Sequence, residues 1–138
     1  TTTLIELSRS RTTCTSLIRR INTAMHKKRL SAQDLTKIYI DRVRTEDHTL
    51  NSYIEIDERG AMEQARIVDK KRASGEVLHE LAGIPLAIKD NICVKTLPTT
   101  AGSKMLYGHG STYDAEVVRS LKECDSILLG KTNMDEFG

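Results

Sequence analysis

A chain of 138 residues, 38% hydrophobic and 29% charged, can form one ordinary domain or part of a larger one, and is too apolar to be disordered. No apolar run approaches the ~20 residues a membrane helix needs, and a single Phe with no Trp argues against stacking platforms for single-stranded nucleic acid. The net charge of +2 conceals a division: residues 1–44 hold ten Lys/Arg against three acids, a net of +7, and the rest carries −5.

A basic lead of that kind suits contact with RNA, an anionic membrane or an import machinery, and equally suits the solvated face of a helix. Residues 1–13 are rich in Thr, Ser and Arg with one acid, the composition of an organellar transit peptide or its remnant. That composition points to a mitochondrial or other organellar matrix, with a bacterial cytoplasm as the alternative. The cysteines, Cys14, Cys93 and Cys124, are odd in number and form no CxxC. This argues against a disulfide scaffold or a zinc site and for a reducing compartment. The four histidines lack ligand spacing, so no residue is assigned to a metal.

Leu17, Ile18, Ile21 and Met25 follow helical spacing, and the basic run His26–Arg29 suits a helix C-terminus. Ser31 is a candidate N-cap for a second helix, with Asp34 completing a capping box and Leu30 and Leu35 forming a staple. Leu35, Ile38, Tyr39 and Val43 are expected to form its apolar stripe. Asn51–Asp57 alternates and is β-branched, which predicts a short strand. Asp57 then caps a third helix reaching about Ser74, with Ala61, Ala65 and Val68 inward and Gly75 as its left-handed terminator. The cluster Asp69-Lys-Lys-Arg72 is read as a wet face.

Residues 81–91, Leu-Ala-Gly-Ile-Pro-Leu-Ala-Ile-Lys-Asp-Asn, form an apolar run that predicts a strand buried on both faces. Pro85 cannot donate a ladder bond, so the strand is an edge or is bulged there. Thr96–Ser103 is a hydroxyl-rich loop. Asp114 is expected to cap a fourth helix with Val117, Val118, Leu121 and Cys124 on one face. Ser126–Leu129 reads as a second buried strand. Helices alternating with short apolar strands give an α/β domain with helices on the faces of the sheet.

Gly130-Lys-Thr132 resembles half of a phosphate loop, but GxxxxGK[ST] would need glycine at Asp125, and strand residues fill the intervening positions. Nucleotide binding is rejected there. No GxSxG or HExxH occurs. An isolated lysine at a strand end most simply snorkels to solvent. Lys89 is the candidate exception: acting as a base requires a pKa near ~7–8, reached by burial or a neighbouring cation. Residues 84–88 are expected to supply that burial, with alternation turning Asp90 to the other face.

Three stretches, residues 81–91, Thr99–Ser103 and Gly130–Gly138, together resemble the amidase signature family over roughly residues 17–138. Within it they resemble the A-type members of the glutamyl-tRNA(Gln) amidotransferases. The resemblance implies the amino-terminal part of the amidase signature fold, a mixed β-sheet covered by helices on both faces, with residues 14–138 belonging to one amidase domain. It implies a Ser–cis-Ser–Lys triad in which Lys89 is the catalytic lysine. Both serines are then expected after Gly138, so the 138 residues are expected to be an inactive fragment. No cofactor is implied in this chain; ATP and Mg²⁺ are expected at a B-type kinase/transferase partner, beside a small C-type partner, charged tRNA and the substrate glutamine. Competing readings are a stand-alone amidase and a non-catalytic tRNA-binding or scaffold module. One departure from the family is Asp125 in place of a glycine, which the left-handed tolerance of Asp accommodates.

Overall fold

The computed structural model describes residues 14–138, with side chains from Leu17 onward. The Thr-, Ser- and Arg-rich stretch at residues 1–13 and the side chain of Cys14 lie outside the described residues. Helix α1 (Cys14–His26) buries Ile21, Ala24 and Met25. The chain then turns through Lys28, whose φ of 54° is left-handed, into α2 (Ala32–Leu50). The capping box forms as expected: Asp34 N–H donates to Ser31 Oγ at 2.9 Å, and Ser31 N–H donates to Asp34 Oδ2 at 3.0 Å.

The stripe of α2 keeps Leu35 and Tyr39 and differs from expectation at Ile38. Ala32, Leu35, Thr36 and Ile40 are buried, while Ile38 points outward. The buried positions follow i, i+3, i+4 spacing from Ala32, and Ile38 falls between those rows. Asn51 closes α2 in the left-handed conformation (φ 51°). The Asp47 carboxylate then accepts from Ser52 N–H (2.8 Å) and Tyr53 N–H (3.0 Å), aiming the chain into β1 (Tyr53–Ile56). β1 is shorter than the predicted strand because Asn51 belongs to that turn and Asp57 to the next cap.

Asp57 Oδ1 accepts from Gly60 N–H at 2.9 Å and starts α3 (Glu58–Ala73). Ala61, Ala65 and Val68 are fully inward, and Gly75 takes a φ of 82°. The expected wet face at 69–72 is instead largely structural. The Asp69 carboxylate accepts from Ala32 N–H (2.8 Å) and Gln33 N–H (3.2 Å), serving as a second cap for α2. Lys71 pairs with Asp125 (2.7 Å), and Arg72 donates to Ala82 C=O (3.3 Å). Only Lys70 is exposed. The partners of Asp69 and Lys71 lie 36 to 54 residues away, and that of Arg72 is a backbone carbonyl, so the local charge pattern could not reveal them.

β2 (Pro85–Lys89), α4 (Glu116–Glu123) and β3 (Ile127–Thr132) complete a three-stranded sheet in the order β1-β3-β2. β3 runs parallel to β2 and antiparallel to β1, so the sheet is mixed, as expected. β2 is an edge strand among the described residues, and its register against β3 slips between Leu86 and Ala87, next to Pro85. The edge position is what accommodates the proline; the slip itself falls on β3, where Leu129 is passed over between Leu128 and Gly130. β3 is central and almost wholly buried. Ile127 and Leu129 join a core with Ile21, Leu35, Ala65 and Ile84, while Leu128 joins Ile88, Val94, Leu97 and Val118. Helices and loop thus pack against both faces of β3. Just past the last β1 contact (Asp57 N–H to Leu129 C=O), Leu128 N–H donates to the side chain of Gln64, from α3, at 3.1 Å.

The approach to β3 departs from expectation at one aspartate and matches it at another. Asp114 does not cap α4: the N-cap is Ala115, and the Asp114 carboxylate instead accepts from Lys95 N–H (2.9 Å) and pairs with Lys122 (2.7 Å). Val117 is half exposed because the short helix presents only Val118 squarely to the core. Asp125 does take the left-handed region (φ 56°), and its carbonyl accepts from Gly83 N–H at 2.9 Å.

Candidate active site

The three stretches singled out in the sequence converge where β2 and β3 end side by side. Lys89 stands opposite Thr132, and Ile88 opposite Lys131. Asp90 N–H donates to Thr132 C=O (3.1 Å), and Ala101 N–H donates to Asp90 C=O (3.2 Å). The Asp90 carboxylate is 1% exposed. Its Oδ2 accepts from Thr100 N–H (3.0 Å), the Thr100 hydroxyl and Gly102 N–H (3.3 Å). The hydroxyl-rich loop is therefore wrapped around a buried anion.

The counter-charge is Lys131, which has no exposed surface. Its Nζ lies 3.0 Å from Asp90 Oδ1 and donates to Pro98 C=O (3.0 Å) and Thr99 Oγ1 (2.9 Å). Two ammonium donors are spent on loop oxygens, and Asp90 Oδ1 has no contact beyond the ion pair itself, so the pair rests on opposite charge at 3.0 Å. Burial pushes the Asp90 carboxyl pKa up, but the hydrogen bonds from Thr100, Lys131 and Gly102, with the lysine charge, hold it below the ordinary carboxylate value.

The last motif locks onto the same loop. Ser103 Oγ donates to Glu136 Oε1 (2.6 Å), and Phe137 N–H donates to Ala101 C=O (2.9 Å). Gly102, at φ 67°, allows the backbone of Met134 to approach: a Cβ there would lie 2.8 Å from Met134 O. Asn133 ties the motif to the start of β1 by donating from its N–H to Ser52 C=O (2.7 Å) and from its side chain to Asn51 C=O (3.0 Å).

Lys89 itself departs from the expected burial. Ile88 is buried, whereas Ala87 and Lys89 are exposed, and no hydrogen bond or ion pair holds the Lys89 amine among the described residues. The cause is alternation on an edge strand: one face of β2 is covered within these residues and the other is not. The amine therefore projects from a rigid strand end whose neighbours on both strands are fixed. Asp90 does turn away from it, as alternation requires.

The buried lysine is Lys131, which the sequence brings to notice as a phosphate-loop residue and as part of the Gly130–Gly138 stretch, with no role of its own. A lysine following four buried strand residues is the one local signal, and its partner, 41 positions upstream, is not visible from it. Gly130 and Lys131 lie within β3 itself, so the strand occupies the place of the loop that nucleotide binding would need. Hydrogen bonding with Tyr113, then with Ser111, lowers the Cys93 thiol pKa, and burial opposes them. A hollow of about 340 Å³ lined by Gln64, Ile67, Val68, Leu97, Lys122 and Ser126 contains none of the three motifs. Among the described residues no group of three His, Cys, Asp or Glu could hold a metal, and no helix is long and apolar enough to cross a membrane.

The amidase family profile matches residues 34–138. A glutamyl-tRNA(Gln) amidotransferase A-type protein of Clostridium acetobutylicum, numbered 2 in that organism, is 44% identical over 120 residues, covering 87% of this chain and 25% of that protein. Its counterpart in Streptomyces coelicolor is 46% identical over 108 residues, covering 78% and 22%. Among solved structures, the peptide amidase of Stenotrophomonas maltophilia superposes with a TM-score of 0.82 at 33% identity, over 95% of this chain and 26% of that one. An amidase family protein from Bacillus anthracis gives 0.83 at 34% identity, over 96% and 25%. The chain spans about a quarter of the length of these relatives. All four are bacterial, and an organellar matrix draws no support from them. By its profile, its relatives and its mixed sheet, the chain belongs to the amidase family.

Proposed function

We propose that this chain carries the catalytic lysine of a glutamine-hydrolysing amidase, the A-type component of a tRNA-dependent amidotransferase that converts Glu-tRNA(Gln) to Gln-tRNA(Gln). The observation that supports this most is the placement of Lys89 at a strand end fixed by all three motifs, in a chain 44–46% identical to proteins named for that reaction. In this reading Lys89 takes a proton through a bridging serine from a nucleophilic serine. The serine oxygen bonds to the glutamine side-chain carbonyl, the C–N bond breaks, and the nitrogen leaves as ammonia after regaining the proton. Water then releases glutamate from the acyl-enzyme. Both serines would come from sequence outside these 138 residues, and the residues alone would be inactive. ATP and Mg²⁺ would act at a B-type partner, with a small C-type partner completing the complex.

A stand-alone amidase is the second reading, supported by the likeness to a peptide amidase structure. Assays on the full-length protein separate the two. Glutamine hydrolysis stimulated by the partner proteins supports the amidotransferase, whereas turnover of simple amides without partners would sink it. Lys89→Ala should abolish either activity with little loss of fold, and near-normal turnover in that variant would overturn the assignment of the lysine.

A further inference from the structure

We infer that the buried Asp90–Lys131 pair is the positioning element of this site, a charge-balanced latch that sets where Lys89 is presented. The inference rests on the catalytic reading of Lys89 and names residues that would act through it. Lys89 is covalently adjacent to Asp90 and paired with Thr132, which is adjacent to Lys131. Both residues flanking this strand-end pair therefore belong to one ion pair at 3.0 Å, from which water is excluded.

The latch closes a loop as well as a strand end. Asp90 holds Thr100 and Gly102, Lys131 holds Pro98 and Thr99, and so residues 98–102 are tied to both strands at once. Ser103–Glu136 and Phe137–Ala101 then fasten the 133–137 stretch to that loop. None of these bonds reaches the exposed Lys89 amine, which leaves that amine available to a reacting partner. A buried ion pair adds little stability compared with a well-packed apolar pair. What it supplies here is geometry: a set of fixed donor and acceptor bonds aimed at one loop, a register that an apolar pair would not enforce.

The test exploits that difference between stability and geometry, in the full-length protein. Lys131→Met leaves a buried carboxylate without its counter-charge and should lower both melting temperature and turnover. The double variant Asp90→Asn/Lys131→Met removes both charges and should recover most of the melting temperature. Its kcat should stay down by about 10- to 100-fold, the scale of a misplacement near 1 Å, because Pro98 and Thr99 have lost their donor. Its KM should stay within about twofold, since substrate contact is not what the pair provides. A double variant with parental kcat, or one whose loss falls on KM, overturns the inference. Lys89→Ala is measured alongside. If it retains turnover, the catalytic reading fails and takes this inference with it. If it is inactive while the double variant turns over normally, only the positioning role is removed.

Discussion

Replacing Gly130 by alanine places a methyl group against the backbone of β1. Gly130 pairs with Ile56 across the antiparallel ladder, and its φ lies outside the left-handed region, so conformational freedom is not why glycine stands there. A Cβ would lie 2.9 Å from Ile56 Cα and 3.0 Å from the Glu55 carbonyl carbon, with Glu55 O nearer still. These are main-chain atoms of a paired strand and cannot swing aside as a long side chain would. Overpacking of this kind costs about 1–3 kcal/mol, and easing β1 away would weaken ladder bonds worth about 1 kcal/mol each. Against this, alanine gains roughly 0.4–1 kcal/mol by restricting the unfolded chain. The expected net loss, combining these terms, is about 1–3.5 kcal/mol. Read on the full-length protein, it should appear as a fall in the urea midpoint relative to the parent. Gly110→Ala is the control: nothing lies within 4 Å of its Cβ position and its φ lies outside the left-handed region, so its stability should be unchanged within about 0.5 kcal/mol. Equal midpoints for the two variants would refute the close approach of β1 to β3.

Two further perturbations address the helix ends. Ser31→Ala should cost about 1 kcal/mol by breaking the capping box. The Ser31 hydroxyl first, then the Ser31 N–H, lower the folded pKa of Asp34 from 3.8 while burial opposes them. A lowered carboxyl pKa gives stability that is present above the unfolded pKa and lost as pH falls through the folded one. The gap between parent and Ser31→Ala unfolding curves should therefore hold at about pH 7 and narrow below about pH 4; a gap that stays constant down to about pH 3 contradicts the linkage. Asp69→Ala should cost about 1–2 kcal/mol by freeing the Ala32 and Gln33 amides. Hydrogen exchange at those two amides should accelerate, and unchanged protection would assign their caps elsewhere.

What is legible in the chain is what its neighbours in sequence determine. Ser31 with Asp34, the Ala61–Ala65–Val68 stripe, the left-handed Gly75 and the left-handed Asp125 all concern residues within a turn or two of each other. What is not legible depends on partners far along the chain. Asp69 looks solvated because its amide partners lie on another helix. Asp114 looks like a cap because nothing in the sequence brings Lys95 and Lys122 near it. The site shows the same division. The three motifs mark the right end of the sheet, yet the buried charge at its centre, Asp90 with Lys131, joins strands 41 residues apart. The apolar run before Lys89 suggests cover on both faces, and only the register of β2 reveals the uncovered one.

The bond from Leu128 N–H to Gln64 gives one amide of the central strand an unusual dependence. Most protected amides in a sheet report the opening of the ladder they belong to. This one answers to a side chain on α3, so its exchange follows the undocking of that helix even while β2 and β3 stay paired. In a native-state exchange experiment, Leu128 should group with the amides of α3 rather than with those of its own strand. A sheet residue would then time the motion of the helix above it.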